Sequence, residues 1–293
     1  MARYLERAES TARLLDACFQ PGMPFYGNIA QLYALPLHIQ DVYQDFIRQK
    51  GDNELNINTV SKFLISGNSP STIKGCLELA RENARSERSR LSSEVWESIN
   101  QTWIEFQEFQ HKPSRLFTEW VKQRGVLFQG TVQITMPKML SLHFIKLGIF
   151  LERANQTLRV LEADITLKTL SSNSQSDYYH RQMLLRSVSS LEAFKEIFNA
   201  APTEEKVLEL LLFHDAVPRS VRCSIERISS LLKTIGSVNK ISAQKICAQI
   251  LLKLRYDKLQ DIVVSGQDKY IKLIQDELLS LGSAIQEGYF VIS

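Results

Sequence analysis

Apolar residues along this chain return at steps of three and four, the spacing that gathers them on one face of an α-helix. Leu5, Ala8, Ala12 and Leu15 make such a face near the start, Ile73, Leu77, Ala80 and Ala84 a second, and Val221, Ile225, Ile228 and Leu232 a third. The pattern predicts helices over about 2–19, 36–50, 93–110, 114–135, 138–170, 177–199, 242–256 and 261–287, besides those that follow Pro70 and Pro218. Preceded by Ser69, Pro70 suits the first position of a helix, where its fixed φ fits and its missing N–H is not needed. Ser69 is then the expected N-cap. "QPGMPFYGN" (20–28) and "SSNSQSD" (171–177) read as loops by composition. No segment alternates with period two between turn signals, so the predicted fold class is all-α.

Two stretches recur. "RYLERAESTARLLD" (3–16) returns as "IFLERANQTLRVLE" (149–162) with seven of fourteen positions identical, an offset of 146 residues. "VSKFLISGNSPSTIKGCLE" (60–78) resembles "VLELLLFHDAVPRSVRCSIE" (207–226) when Pro70 is set against Pro218, an offset of 148. Because order and spacing are nearly kept, the expectation is a helical bundle of two internally repeated halves, residues 1–135 and 136–293, related by a pseudo-twofold axis within one domain.

The repeated helix carries charge on a second side, with Glu6, Glu9 and Arg13 in one copy and Glu152, Asn155 and Arg159 in the other. One reading is a solvated face with local pairs, Glu9 with Arg13 or Arg13 with Asp16, each contributing about 0.2–0.5 kcal/mol. The sharper reading starts from Asn155, which replaces the carboxylate four residues before Arg159 while the arginine stays. Arg159 then needs a partner, locally Glu162 or on the other copy. If the two helices lie antiparallel across the axis, Glu6 meets Arg159 and Arg13 meets Glu152. Such pairs inside a helix interface add little stability, because desolvation offsets much of the Coulomb attraction; they fix register or build a polar site.

A second polar concentration is "ARENARSERSRLSSEVWESIN" (80–100). Asn83 and Glu87 project beside the apolar face, so Asn83 is an expected buried polar group in need of partners, whereas Arg81, Glu82, Arg85 and Arg88 lie further round. Ser92 or Ser93 is the expected cap of the next helix, on which Trp96, Asn100 and Trp103 recur at a helical interval.

Composition narrows the function classes. A 293-residue chain that is 44% hydrophobic and 9% aromatic can bury a large core and is not a disordered segment. Its net charge of +3 is spread among interspersed acids and bases, which gives no case for nucleic acid. No run of about 18 apolar residues occurs, and the charged amphipathic start excludes an ordinary signal peptide; no membrane span and a cytoplasmic location are expected. Cys18, Cys76, Cys223 and Cys247 never approach a CxxC spacing, which argues for reduced, buried thiols instead of zinc or a redox pair. Glu108 and His111 match the ExxH of di-iron helices, but only one copy exists, and His38, His143, His180 and His214 stand alone. With no glycine-rich phosphate loop either, neither a metal nor a cofactor is expected.

In order along the chain, "RYLERAESTARLLD", "SPSTIKGCLELARENAR", "LSSEVWESIN", "LFQGTVQITM" and "LGIFLERANQT" resemble the motifs of the bacterial alpha-E domain family, catalogued as a domain of unknown function. The resemblance covers nearly the whole chain. Family members usually begin upstream of this point, and the second copy keeps the corresponding segment as "MPKMLSLHFIKLG", so the first helix is expected to be the shorter. The family is encoded beside circularly permuted ATP-grasp and transglutaminase-like proteins, which implies a role in making or breaking amide bonds on a peptide.

Two functions follow as expectations. One is a non-catalytic helical partner or scaffold for an ATP-grasp amide ligase or a peptide-processing enzyme. The other is an enzyme with a cavity between the repeats, in which Glu6, Glu9, Glu82 or Glu94 acts as base and Arg13 or Arg85 holds an anionic substrate. Arg81, Asn83, Trp96, Asn100, Glu152, Arg153 and Arg159 complete the candidate contacts. Carboxylates converging on a water-filled pocket favour the enzyme; a closed seam of ion pairs favours the partner.

Overall fold

The first apolar stripe forms α1, Ala2–Cys18, with Leu5, Ala8, Ala12 and Leu15 all buried along it. A computed structural model describes residues 1–20, 29–168, 174–236 and 241–290, and among these every regular element is helical. The chain continues through α2 (Ile29–Ile39), α3 (Tyr43–Lys50), α4 (Ile57–Ser66), α5 (Ile73–Ser86), α6 (Ser93–Phe109) and α7 (Ser114–Thr135). It then passes through α8 (Leu140–Lys168), α9 (Ser174–Ser187), α10 (Leu191–Phe198) and α11 (Glu204–Leu208), the last running on into a π-turn at Glu209–Phe213. The remaining helices are α12 (Val221–Ile235), α13 (Ile241–Tyr256), α14 (Leu259–Ser265) and α15 (Gln267–Phe290). The protein is all-α. At 17 residues α1 is shorter than α8, which has 29.

Three of the long helices expected from the pattern are each broken in two. Residues 36–50 divide between α2 and α3 at Asp41 (φ 58°), residues 177–199 between α9 and α10 at Ser189 (φ 51°), and residues 261–287 between α14 and α15 at Gly266 (φ 110°). A single left-handed residue ends a helix and redirects the chain, and Asp or Ser can supply it without the glycine or proline that marks a break in sequence. Asp41 and Ser189 stand 148 positions apart, as do the left-handed Gly51 and Asn199. Of the two expected loops, residues 21–28 and 171–173 lie outside the described residues, and Ser174 onward belongs to α9.

Helix starts follow the chemistry of capping, with one correction. Thr72, not Ser69, caps α5, its Oγ1 accepting from the Gly75 N–H at 3.2 Å; Ser69 instead donates to Asp45. Pro70 shapes the turn ahead of the cap. Ser220, also two residues past a proline, caps α12 in the same way through the Cys223 N–H at 3.0 Å. Ser92 caps α6 as expected.

Two hydrophobic cores meet at a seam formed by α1 and α8. The first gathers α3 to α7 around α1, with Phe46, Phe106 and Phe117 fully buried, and takes in Leu142, Ile145 and Ile149 from the start of α8. The second gathers α9 to α13 and α15 around α8, and takes in Leu14, Ala17 and Cys18 from the end of α1. Each long helix therefore serves both cores, and the polar residues of both are held where the cores join. Among the described residues no helix is long and apolar enough to cross a membrane.

Candidate functional site

The repeated Glu-Arg dipeptides face one another across the seam. Glu6 of α1 accepts from Arg153 of α8 through both carboxylate oxygens, at 2.9 and 3.1 Å. Glu152 of α8 accepts from Arg7 of α1 in the same bidentate manner, at 2.6 and 3.1 Å. Two parallel N–H···O bonds to a carboxylate are the strong, geometrically specific form of this contact. Arg3 adds a bond to Glu152 at 3.1 Å, and Gln156 another at 3.1 Å.

This is a different pairing from the one the sequence led us to expect. Glu6 does not meet Arg159, and Arg13 does not meet Glu152. Arg159 donates to the backbone carbonyl of Ile39 and lies 3.9 Å from Asp41, while Arg13 donates to Glu9 on its own helix and to the Ser189 hydroxyl at 2.7 Å. The physical reason is direction. Contacts across the seam keep a nearly constant difference in residue number: Glu6 with Arg153, Arg7 with Glu152, and Gly148 packed on Ala2 and Arg3. Helices that run the same way at their crossing give a constant difference; antiparallel helices give a constant sum. The local alternatives also resolve: Glu9 takes Arg13, Asp16 takes Lys122 of α7 at 2.9 Å, and Glu162 accepts from Gln275.

Arg3 and Arg7 were not among the expected contacts, and a third unexpected cation completes the network. Arg219, in the turn before α12, reaches Glu6 at 2.9 Å and Glu9 at 2.8 Å. Gln129 of α7 lies 3.3 Å from both Glu6 and Glu9. All six carboxylate oxygens of Glu6, Glu9 and Glu152 thus accept an arginine or glutamine N–H, and the three residues are between 0% and 2% exposed. Burial works to raise the pKa of Glu6, but the charges of Arg219 and Arg153 outweigh it and hold the carboxyl below its ordinary value. Glu152 is likewise held down, burial being overcome by Arg7 and Arg3. Arg219 has its pKa drawn down by burial against the pull of Glu6 and Glu9.

The Glu9 carboxylate is seated on α7 at Gly125. A Cβ there would lie 2.5 Å from its Oε2 and 2.9 Å from its Cδ. Since Arg13, Arg219 and Gln129 pin that carboxylate, it cannot yield cheaply. Gly125→Ala is expected to destabilise the protein by about 1–3 kcal/mol. Gly130→Ala, on the same helix with nothing within 4 Å, is the control and should stabilise by about 0.5–1 kcal/mol. Urea denaturation of the two variants distinguishes the cases by sign.

The second polar concentration does not join this network. Glu82 is exposed and pairs with Arg81 and Arg85; Asn83 is exposed too, its amide donating to the Leu79 carbonyl, so it is not the buried group expected. Arg81 donates to Asn100 at 2.8 Å, Arg88 stacks over Trp96, and Glu94 is exposed on the first turn of α6. These contacts tie α5 to α6.

A cavity of about 730 Å³ opens beside the seam, lined by Arg13 but by none of Glu6, Glu9, Glu82 or Glu94. The four cysteines are free and buried; burial pushes the Cys76 thiol up to about 12 and raises Cys18 and Cys247 as well, which disfavours the thiolate at those three positions. Among the described residues no three His, Cys, Asp or Glu side chains gather as metal ligands would.

Fold and site together define an all-helical protein whose two hydrophobic cores are joined by buried Glu-Arg dipeptides. The chain belongs to the Alpha-E family, described as a predicted alpha-helical domain with a conserved ER motif, whose model matches residues 1–290. Of the four Glu-Arg dipeptides in the chain, at 6–7, 87–88, 152–153 and 226–227, those at 6–7 and 152–153 exchange partners across the seam. No curated protein and no solved structure matches the chain.

Proposed function

We propose that this protein is a non-catalytic helical partner or scaffold that works with an ATP-grasp amide ligase or a peptide-processing enzyme. The observation that carries this reading is how fully the buried seam is engaged: every oxygen of Glu6, Glu9 and Glu152 accepts an N–H, and each but Glu9 Oε2 accepts two or more. A general base needs a free lone pair and a pKa near the working pH. Glu6 and Glu152 are instead held as carboxylates of low basicity by the arginines around them. The likeness of the motifs to a family encoded beside ATP-grasp and transglutaminase-like proteins supplies the class of partner.

The same reading treats residues 1–135 and 136–293 as two copies of one unit about a pseudo-twofold axis. In its support stand the exchanged pairs Glu6–Arg153 and Arg7–Glu152, and the matched left-handed positions Asp41 and Ser189.

The test is to co-purify the full chain with an ATP-grasp protein and follow ATP turnover with Glu6→Gln and Glu82→Gln. Turnover should rise with complex formation, be indifferent to Glu82→Gln, and fall with Glu6→Gln only as far as the thermal midpoint falls. A variant that stays folded and bound yet abolishes turnover would convert the scaffold into an enzyme.

A further inference from the structure

We propose that the cavity beside the seam binds a small polar molecule carrying an oxyanion, carboxylate or phosphate, with at least two negative charges. It lies between the end of α1, the first turns of α7 and the junction of α9 with α10, and its volume of about 730 Å³ is that of a small-molecule site. Five cations line it, Arg13, Arg115, Lys122, Arg186 and Lys195, against three carboxylates, Asp16, Glu119 and Glu192. The lining is therefore positive by two charges, and the surplus is not spread evenly.

Lys122 is neutralised from two sides, by Asp16 at 2.9 Å and Glu119 at 2.8 Å. Arg13 is paired with Glu9, and the other three cations have no carboxylate partner among the described residues. Arg186 bonds only the neutral Gln20 amide, and Arg115 and Lys195 are exposed with no ion pair among the described residues. Arg13 directs Nη1 at the Ser189 hydroxyl on the cavity wall, and a charged oxygen is a stronger acceptor for that N–H than a hydroxyl.

Backbone dipoles add to the side chains. α7 and α10 both begin at this cavity, at Ser114 and Leu191, and neither has a side-chain cap on its first N–H groups. Helix N-termini in that state favour an anion. The occupant would also be felt at the seam, because the guanidinium of Arg13 that faces it donates its remaining N–H groups to Glu9, which Arg219 holds.

Calorimetric titration of the full chain tests this with pyrophosphate and with N-acetyl-diglutamate, against chloride at matched ionic strength. Saturable binding of one probe is expected, the phosphate or the carboxylate source being assigned by which probe binds. Joint replacement Arg115→Gln and Lys195→Gln, both on the surface and outside the buried network, should weaken that binding at least tenfold with the thermal midpoint unmoved. Heats no larger than the chloride control for both probes, or an affinity indifferent to the double replacement, would overturn the assignment.

Discussion

Glu6→Ala is expected to lower the unfolding free energy by about 3–5 kcal/mol, because it leaves two arginines enclosed without the carboxylate that neutralised them. The side chains of Arg153 and Arg219 are only 11% and 12% exposed, so neither can turn to water for compensation. Glu152→Ala should cost less, since Arg3, 49% exposed, reaches solvent once released. Glu6→Gln separates charge from shape: it keeps an acceptor in place but removes the counter-charge, and should fall between wild type and alanine. The sign of the pH dependence follows from the depressed pKa values of Glu6 and Glu152. A carboxyl whose folded pKa lies below its unfolded value of 4.5 contributes stability that is fully present above that pH and lost as pH falls through the folded pKa. Wild type should therefore lose urea resistance on acidification below about pH 4.5, and Glu6→Ala should show a flatter acid limb. A loss under about 1 kcal/mol at neutral pH would place these pairs among ordinary surface ion pairs.

Helix content was legible because burial enforces a period, and α1, α5, α6 and α7 fall close to where their apolar stripes end. What the stripe does not record is a turn made by one left-handed residue. Asp41 and Ser189 are ordinary polar residues in sequence, and the apolar pattern runs past them. The site was half legible for a related reason. Repetition of "LERA" singled out Glu6, Glu152 and Arg153, since duplicated polar residues in two amphipathic helices need an explanation beyond solvation. Periodicity says which face of a helix is occupied, not the direction in which a second helix lies against it, so the register was read in the wrong sense. Arg7 was passed over because it sits about 100° from Glu6, whereas the seam is wide enough to use both sides.

Once the direction is known, the Glu-Arg dipeptide explains itself. Two copies of a helix running side by side bring like positions together, which would set Glu6 against Glu152 and Arg7 against Arg153. Adjacent residues of opposite charge let each glutamate take the neighbouring arginine instead, as Glu6 does with Arg153 and Glu152 with Arg7. Glu-Arg is the shortest sequence that is self-complementary across such a seam.

Glu9 and Arg219 depart from this symmetry together. Their counterparts are Asn155, in the repeated helix, and Ser71, when Pro70 is set against Pro218. One stretch of each repeat thus carries a charge, a carboxylate in one and a guanidinium in the other, 2.8 Å apart, where the other copy of each stretch has a neutral residue. Arg219→Ser alone is expected to cost about 3 kcal/mol by leaving Glu9 enclosed with only Arg13 and Gln129. Glu9→Asn alone should cost a similar amount, since Arg219, 12% exposed, would keep only Glu6 as its counter-charge. Combining them removes both charges of the ion pair together, so the double variant should lose no more than either single one, a coupling of about 2–3 kcal/mol in a double-mutant cycle. Strictly additive losses would mean that the two charges act on separate neighbours and that their joint difference from the other copy of each stretch is accidental.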